Sequence, residues 1–350
     1  MTSRSEKSAV VLMSGGVDSS VAAYLLKKEG WKVHALFLEM LDENHIRQSR
    51  EAAKEIASLL EIDFFIKEVK REFKEQIIKY FVNQYLDGVT PNPCVICNPT
   101  IKIKYGLEAC KEIGANCMAT GHYARILQEG EKGFGLYKAM FPEKDQSYFL
   151  HQIPRPWLTR ILFPLGNLKK REVVKIAVEA GFGHIAASES QEICFIKDDY
   201  RSFLESQAIQ IPSSGPIVDQ RGNPLGTHKG LHSYTIGQRR GLGIPDATPY
   251  YVTGIDFKKN ILTVGKKEDL YSHTLKIDRI NLLVDKEELL HNKCMVKIRS
   301  RHPGALAEVR FLDEDMFQVT FDEPQKSITP GQFAVFYRES KVLGGGRICA

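Results

Sequence analysis

The apolar run Ala9–Met13 leads straight into Ser14-Gly-Gly-Val-Asp-Ser-Ser20, and Val21–Lys28 beyond it reads as a helix stopped by Gly30. A buried strand that turns on two glycines into a helix is the first half of a βα unit, and it favours parallel pairing with the strands after it. The next hundred residues keep that alternation. Val33–Leu38 is strand-like, Ile46–Leu60 has helical spacing through Ala53, Ile56 and Leu60, and Phe64–Val69 is strand-like again. Phe73–Leu86 and Ile101–Ile113 read as helices, and Cys117–Thr120 as a short strand. The expectation is a Rossmann-like α/β domain, with a parallel sheet covered by helices on both faces.

From about residue 206 helical periodicity fades. Pro-Ser-Ser-Gly-Pro (212–216), Arg-Gly-Asn-Pro (221–224) and Gly-Leu-Gly-Ile-Pro (241–245) punctuate short strand candidates. These are Tyr250–Ile255, Ile261–Val264, Met295–Ile298, Ala307–Phe311, Phe317–Phe321 and Phe333–Tyr337. Such a pattern predicts small β units. The expected division is a catalytic domain over 1–205, a central β-rich domain over 206–268 and a C-terminal β-barrel over 269–350.

Phosphate binding needs backbone N–H groups free to face an anion and a helix N-terminus whose dipole favours negative charge. The Ser14–Ser20 string offers both, with Ser19 and Ser20 as hydroxyl donors. Asp18 would repel phosphates unless it holds Mg²⁺ or caps the helix. The plain alternative is an ordinary βα turn with Asp or Ser at the cap. No Lys follows, so the string is not a G-x-x-x-x-G-K-[ST] loop.

Bulk properties set wide bounds. The chain has 350 residues, room for two or three domains, and its 43% hydrophobic and 26% charged content is that of a globular protein. A net charge of +5 permits nucleic-acid binding without demanding it. The N-terminal residues lack the roughly 7–15 apolar residues of a secretory signal, and no run nears the ~18 of a membrane span, so the expected location is cytoplasmic, with no membrane partner.

Seven cysteines thinly spread over such a length do not make a disulfide scaffold. Cys110, Cys117 and Cys294 sit in apolar periodic contexts and read as core residues. Thr90-Pro-Asn-Pro-Cys94-Val-Ile-Cys97-Asn98 reads as a proline-stiffened loop with a C-x-x-C pair, and Cys194 lies about a hundred residues on in Ser190-Gln-Glu-Ile-Cys-Phe-Ile196. A lone C-x-x-C fits half a zinc site, a redox pair or two packed thiols. With no second pair at zinc spacing, structural zinc is disfavoured.

The Ser14–Ser20 string resembles the SGGxDS loop of the PP-loop ATP pyrophosphatases, which cleave ATP to AMP and pyrophosphate while adenylating a substrate. With Pro91-Asn-Pro…Cys97-Asn98, Ala119-Thr-Gly-His-Tyr123, Lys144-Asp-Gln-Ser147, Ser190-Gln-Glu-Ile-Cys-Phe195, Tyr234-Thr-Ile-Gly-Gln-Arg-Arg-Gly-Leu242 and Pro330-Gly-Gln332, the chain resembles the tRNA-specific 2-thiouridylases over nearly its whole length.

That resemblance implies a transferase that modifies tRNA, using ATP and Mg²⁺ to adenylate the O2 of the wobble uridine (position 34) and replace it with sulfur. It implies Cys97 as nucleophile, Cys194 as persulfide carrier, and a transient Cys97–Cys194 disulfide. ATP would meet Met13, Ser14, Gly15, Gly16, Val17, Asp18, Ser19, Ser20, Leu38 and Gly121. Asn92, Pro93 and Cys94 would face the flipped-out base. His122, Lys144, Asp145, Gln146, Arg299, Ser300 and Gln332 would touch tRNA, with lysine, glutamate and glutamine acceptors expected. A cysteine desulfurase or sulfur-relay protein would be the donor.

Where many relatives carry Asp, this chain carries Cys94. Cys94, Cys97 and Cys194 with an open fourth position offer a variant in which a [4Fe-4S] cluster delivers the sulfur. Basic residues such as Lys102, Lys104, Lys169-Lys-Arg171 and Arg239-Arg240 are read as distributed RNA contacts. Two rivals remain: a small-molecule synthetase of the argininosuccinate or GMP type, which needs no paired thiols, and a non-catalytic RNA-binding protein, which needs no intact phosphate loop.

Overall fold

In the computed structural model of the chain, residues 7–185, 193–196, 199–207, 214–290, 292–313 and 315–349 are described. The first unit is a five-stranded parallel sheet of β1 (Ser8–Leu12), β2 (Lys32–Glu39), β3 (Asp63–Glu68), β4 (Cys117–Ala119) and β7 (Ile161–Leu162), in the order β3-β2-β1-β4-β7. Ala9, Val10 and Val11 are fully buried, as a strand covered on both faces requires. Helices α1 (Val17–Lys28) and α2 (Glu43–Leu59) pack Val21, Ala22, Ala53 and Ile56 against one face.

The strand order reverses between β1 and β4. Chain leaves the carboxyl ends of these two neighbours in opposite directions, opening the crevice where α/β sheets take ligands. The glycine turn comes directly after β1, and Thr120–Tyr123 directly after β4, so both motifs reach that crevice.

The opposite face is covered by a helical run over 70–86 and a second over 93–113. The second differs from the sequence reading. Residues 93–97 are not an extended loop but the first turn of a helix, with Pro93 at its start, where its fixed φ suits helix entry and its missing N–H costs nothing. That helix passes through a wide π turn over Asn98–Ile103 before resuming as Lys104–Ile113.

Residues beyond the parallel sheet are β. A four-stranded sheet, in the order β10-β11-β8-β9, uses β8 (Gly215–Val218), β9 (Pro224–His228), β10 (Tyr251–Asp256) and β11 (Ile261–Gly265). The C-terminal residues form a closed six-stranded antiparallel barrel. Its strands are β12 (Tyr271–Leu282), β13 (Cys294–Lys297), β14 (Ala305–Asp313), β15 (Met316–Lys326), β16 (Phe333–Arg338) and β17 (Lys341–Ile348), and pairing of β12 with β17 closes the ring. A hairpin from the first unit, β5 (Ala124–Gln128) and β6 (Phe134–Lys138), adds to the outer edge of β17. Barrel residues Phe333, Val335, Tyr337 and Val342 share one apolar core with Val10, Leu36 and Cys97. Among the described residues no helix is long and apolar enough to cross a membrane.

Candidate active site

The phosphate loop is held open by its own serines. Ser19 Oγ accepts a hydrogen bond from the Ser14 N–H at 3.1 Å and donates to the Gly16 carbonyl at 3.0 Å, to which Ser20 Oγ also donates at 3.0 Å. Gly15 has φ +76°, and a Cβ there would stand 2.2 Å from the Ser49 carbonyl oxygen, so only glycine fits. Gly16 is the N-cap of α1 and receives no side-chain cap bond. Asp18 is therefore not the cap. Its Oδ1 accepts from the Tyr123 hydroxyl at 2.8 Å and from Lys170 Nζ at 2.7 Å.

Met13 is buried and donates its N–H to the Leu36 carbonyl at 2.9 Å. Leu38 ends its buried strand on the same side of the sheet. Gly121 closes the crevice opposite: a Cβ would meet the Asp18 carbonyl carbon and the Ser19 nitrogen at 2.7 Å. The loop after β4 thus lies directly on the first turn of α1, with His122 as the next residue.

Cys94 and Cys97 are three apart on one helix and share a face. Cys97 is buried, Cys94 half-buried and Cys194 exposed, and all are free thiols. Asn98 anchors the turn by donating from Nδ2 to the Phe149 carbonyl at 2.9 Å. The π turn beyond it pairs residues five apart and contains Lys102. Cys194 is fixed by its neighbour Phe195, whose ring packs edge-on against Phe73 and Phe81 with centroids 5.8 and 5.3 Å apart. Residues 186–192, including Ser190-Gln-Glu192 of the second cysteine motif, lie outside the described residues.

The charges show what converges. Burial works against the Lys102 ammonium, yet Cys97, Cys94 and Cys194 hold its pKa above the ordinary lysine value. Reciprocally, burial pushes the Cys97 thiol up to about 12, partly offset by Lys102 and reinforced by Cys194 and Cys94. Desolvation by the surrounding protein raises the Cys194 pKa as well, again opposed by Lys102. His122 is pushed down to about 3, first by burial and then by the same Lys102. The charge of one lysine is therefore felt by three thiols and by His122, the residue after Gly121. A sulfur nucleophile calls for a thiol held as an anion by nearby positive charge. At Cys97 burial outweighs the lysine, so the resting group is a protonated thiol.

Sequence alone groups Lys102 with surface cations for RNA, and it ties neither Tyr123 nor Lys170 to the phosphate loop. Spacing cannot reveal a π turn, and a Lys beside Lys169 and Arg171 looks like one of three solvated cations. His122 Nδ1 pairs with the Thr120 hydroxyl at 2.7 Å. Asp145 accepts the Ala139 and Ser147 N–H groups at 3.0 and 3.1 Å, and Gln146 Oε1 accepts the Tyr123 N–H at 2.9 Å. Lys144 closes the short turn before them. Gln332 and Arg299 sit with Thr90, Thr235 and Gly237 around a cleft of about 380 Å³, and Ser300 is the residue after Arg299.

Family models match the whole architecture: one described as "tRNA methyl transferase HUP domain" over residues 7–198, a "PRC-barrel domain" over 201–266 and an "Aminomethyltransferase beta-barrel domain" over 272–348. A protein of Desulfotalea psychrophila named tRNA-specific 2-thiouridylase MnmA is 42% identical across 97% of this chain and 98% of its own length. The chain belongs to the tRNA-specific 2-thiouridylase family. A second 2-thiouridylase, from Geobacter metallireducens, is 41% identical over 100% of this chain and 99% of its own. Solved structures overlap more loosely. The U34-tRNA thiolase NcsA of Methanococcus maripaludis, solved with its [4Fe-4S] cluster, gives a TM-score of 0.36 at 18% identity over 58% of this chain and 64% of that one. A 4-thiouridine synthetase in complex with RNA and ATP gives 0.33 at 19% identity over 51% and 42%. Scores this low add nothing to the assignment.

Mg²⁺ is the expected inorganic group and an iron–sulfur cluster only the variant reading, and the site treats them differently. The bonds from Tyr123 and Lys170 both fall on Asp18 Oδ1, so Oδ2 is the carboxylate oxygen they leave for a metal beside the phosphate turn. A hard oxygen there, with phosphate oxygens as co-ligands, suits Mg²⁺, which takes few protein ligands. The three cysteines do not suit an iron–sulfur cluster in the same way. Among the described residues no three His, Cys, Asp or Glu side chains are grouped to hold a metal, so no step is assigned to a cluster.

Proposed function

We propose that this chain, divided as 1–205, 206–268 and 269–350, converts the wobble uridine of tRNA (position 34) to 2-thiouridine, with lysine, glutamate and glutamine tRNAs as acceptors. It is an ATP-dependent tRNA sulfurtransferase. The uracil O2 attacks the α-phosphorus of ATP, forming a P–O bond while the α–β bridge breaks and its electron pair leaves on pyrophosphate. Mg²⁺ held at Asp18 would supply charge neutralisation there. The adenylated oxygen is then a leaving group, which the original carbonyl oxygen is not.

Cys194, exposed enough to meet a donor such as a cysteine desulfurase or relay protein, carries the sulfur as a persulfide. The terminal sulfur bonds to C2 as the C2–O bond to AMP breaks; Cys97 attacks Cys194 Sγ, and the bond between that Sγ and the transferred sulfur breaks with its electrons left on the transferred sulfur. AMP departs, and the Cys97–Cys194 disulfide needs two electrons from an external reductant before the next turnover. Cys97 enters as a thiol, so its proton must leave as it attacks. Lys102 lowers that barrier by favouring the anion.

The observation that carries this reading is that Gly121 lies against the first turn of α1, while the charge of Lys102 acts on His122 next to it and on Cys97, Cys94 and Cys194. Arg299, Ser300, Gln332, His122 and Lys144–Gln146 supply RNA contacts around it, and Asn92–Cys94 face the extruded base.

Mass spectrometry of tRNA nucleosides after incubation with ATP, a cysteine desulfurase with cysteine as the persulfide source, and a thiol reductant tests it. The expected product is 2-thiouridine with one AMP per thiolation. ATP cleavage indifferent to tRNA, with no thiolated nucleoside, overturns it in favour of a small-molecule synthetase.

A further inference from the structure

The carboxylate of the phosphate loop already holds a cation from 152 residues away. Lys170 Nζ lies 2.7 Å from Asp18 Oδ1, and the two side chains are only 24% and 22% exposed. Lys170 opens the ten-residue helix Lys170–Glu179, while Asp18 lies in the first turn of α1. Contact between these two residues sets two helix N-termini side by side, and Val21, Ala22, Val173 and Ala177 hold the helices together in one apolar core. The pairing places the ammonium beside the glycine turn, where an anion would sit.

Its neighbours behave differently. Lys169 Nζ sits 4.6 Å over the Phe141 ring, and Arg171 is exposed. Within this basic run only Lys170 turns inward onto the loop, so surface attraction for RNA accounts for the flanking residues and not for it.

We propose that Lys170 binds the pyrophosphate portion of ATP, exchanging its ion pair with Asp18 for phosphate when MgATP enters. The assignment rests on the adenylation reading of this site. In the ion pair each partner neutralises the other, which avoids leaving a half-buried charge uncompensated. When the nucleotide arrives, the carboxylate is released to the metal and the ammonium to phosphate oxygens. As the α–β bridge breaks, the electron pair moves onto pyrophosphate, and a cation facing that group stabilises the charge that develops.

The test uses the full-length protein and inorganic pyrophosphate as probe. Titration calorimetry with Mg-pyrophosphate should show at least tenfold weaker binding by Lys170→Met, with partial recovery in Lys170→Arg, while filter-binding affinity for tRNA stays unchanged. The KM for ATP should rise along with the loss of pyrophosphate affinity. A folded Lys170→Met protein with unchanged pyrophosphate affinity overturns the proposal. So does a loss confined to tRNA binding, which would place Lys170 on the RNA.

Asp18→Asn supplies a second arm that does not depend on the lysine variants folding. With the pair broken and metal removed by chelation, Lys170 is released from the carboxylate and pyrophosphate should bind at least as tightly as to the parent protein. Loss of metal-free binding there counts against Lys170. Because pyrophosphate binding is read without tRNA or sulfur, a failure of the thiolation reading would leave these results standing and be recognised separately.

Discussion

Gln332 Nε2 donates to the Thr90 carbonyl at 3.0 Å, joining the C-terminal barrel to the start of the Pro91-Asn-Pro-Cys segment 242 residues earlier. Thr90 returns the contact by donating its N–H to the Pro330 carbonyl at 3.0 Å. Gly331 between them has φ +88°, and a Cβ there would stand 2.2 Å from Val89 Cγ1 and 2.8 Å from the Thr90 carbonyl oxygen. A barrel turn therefore fixes the segment that introduces both Cys94 and Cys97. Gln332→Ala removes the Nε2 bonds to the Thr90 and Pro91 carbonyls, 3.0 and 3.4 Å, with the shorter contributing about 0.5–1.5 kcal/mol, and should lower kcat/KM for tRNA roughly 2- to 10-fold. Gly331→Ala should do more, lowering the melting temperature as well, since strain of this kind costs on the order of 1–3 kcal/mol.

Cys97→Ser and Cys194→Ser should each abolish thiolation while retaining tRNA-dependent pyrophosphate release, because adenylation needs neither sulfur. Nucleoside mass spectrometry and a pyrophosphate assay read the two steps separately. Thiolation surviving either change would contradict the sulfur route.

Cys94→Ser separates the two ways of carrying sulfur. A persulfide route needs only Cys97 and Cys194, so single-turnover thiolation should persist. Loss of thiolation together with loss of iron and acid-labile sulfide, assayed on anaerobically purified protein, would favour a cluster instead.

Thiol reactivity should follow burial and Lys102. Iodoacetamide at pH 8 should modify exposed Cys194 well before Cys97, whose pKa burial pushes up to about 12. Raising the pH should accelerate Cys97 modification. Lys102→Met should slow both thiols, since removing the cation raises both pKa values further, and each unit is a tenfold loss of thiolate. Protonated Cys97 also favours the fold. That contribution is full below the unfolded thiol value near 9 and is lost as pH rises toward about 12.

His122 should remain neutral across the physiological range. With its pKa pushed down to about 3, the fold loses stability as pH falls from the ordinary histidine value of 6.5 toward 3, because the unfolded chain takes the proton first. NMR of the imidazole should show no titration between pH 5 and 8. A midpoint in that window would mean that Lys102 and the surrounding protein do not press on this ring. As a neutral ring, His122 can meet RNA by hydrogen bonding or stacking but not as a cation.

The β1–turn–α1 opening, α2 and the strand that precedes Gly121 are legible in the sequence because each is local: apolar runs of strand length, a glycine turn and helical spacing declare themselves within about fifteen residues. The β5–β6 hairpin on the barrel is not. Its pairing partner β17 lies in the far C-terminal part of the chain and carries Gly344-Gly345-Gly346, which erases side-chain alternation. The cysteine helix reads as a loop because prolines normally interrupt structure, whereas Pro93 starts it.

Sequence by itself determined the chemistry available: a turn that can bind phosphate, three thiols in two motifs, and a β-rich C-terminal half. Tertiary structure decided which of those groups act on one another. Lys102, in a π turn, acts on the thiols by its charge, a helix distant in sequence brings Lys170 to Asp18, and the barrel pins the segment that leads into the cysteine helix. Charge interactions and close packing act through space, across separations along the chain that no local pattern records.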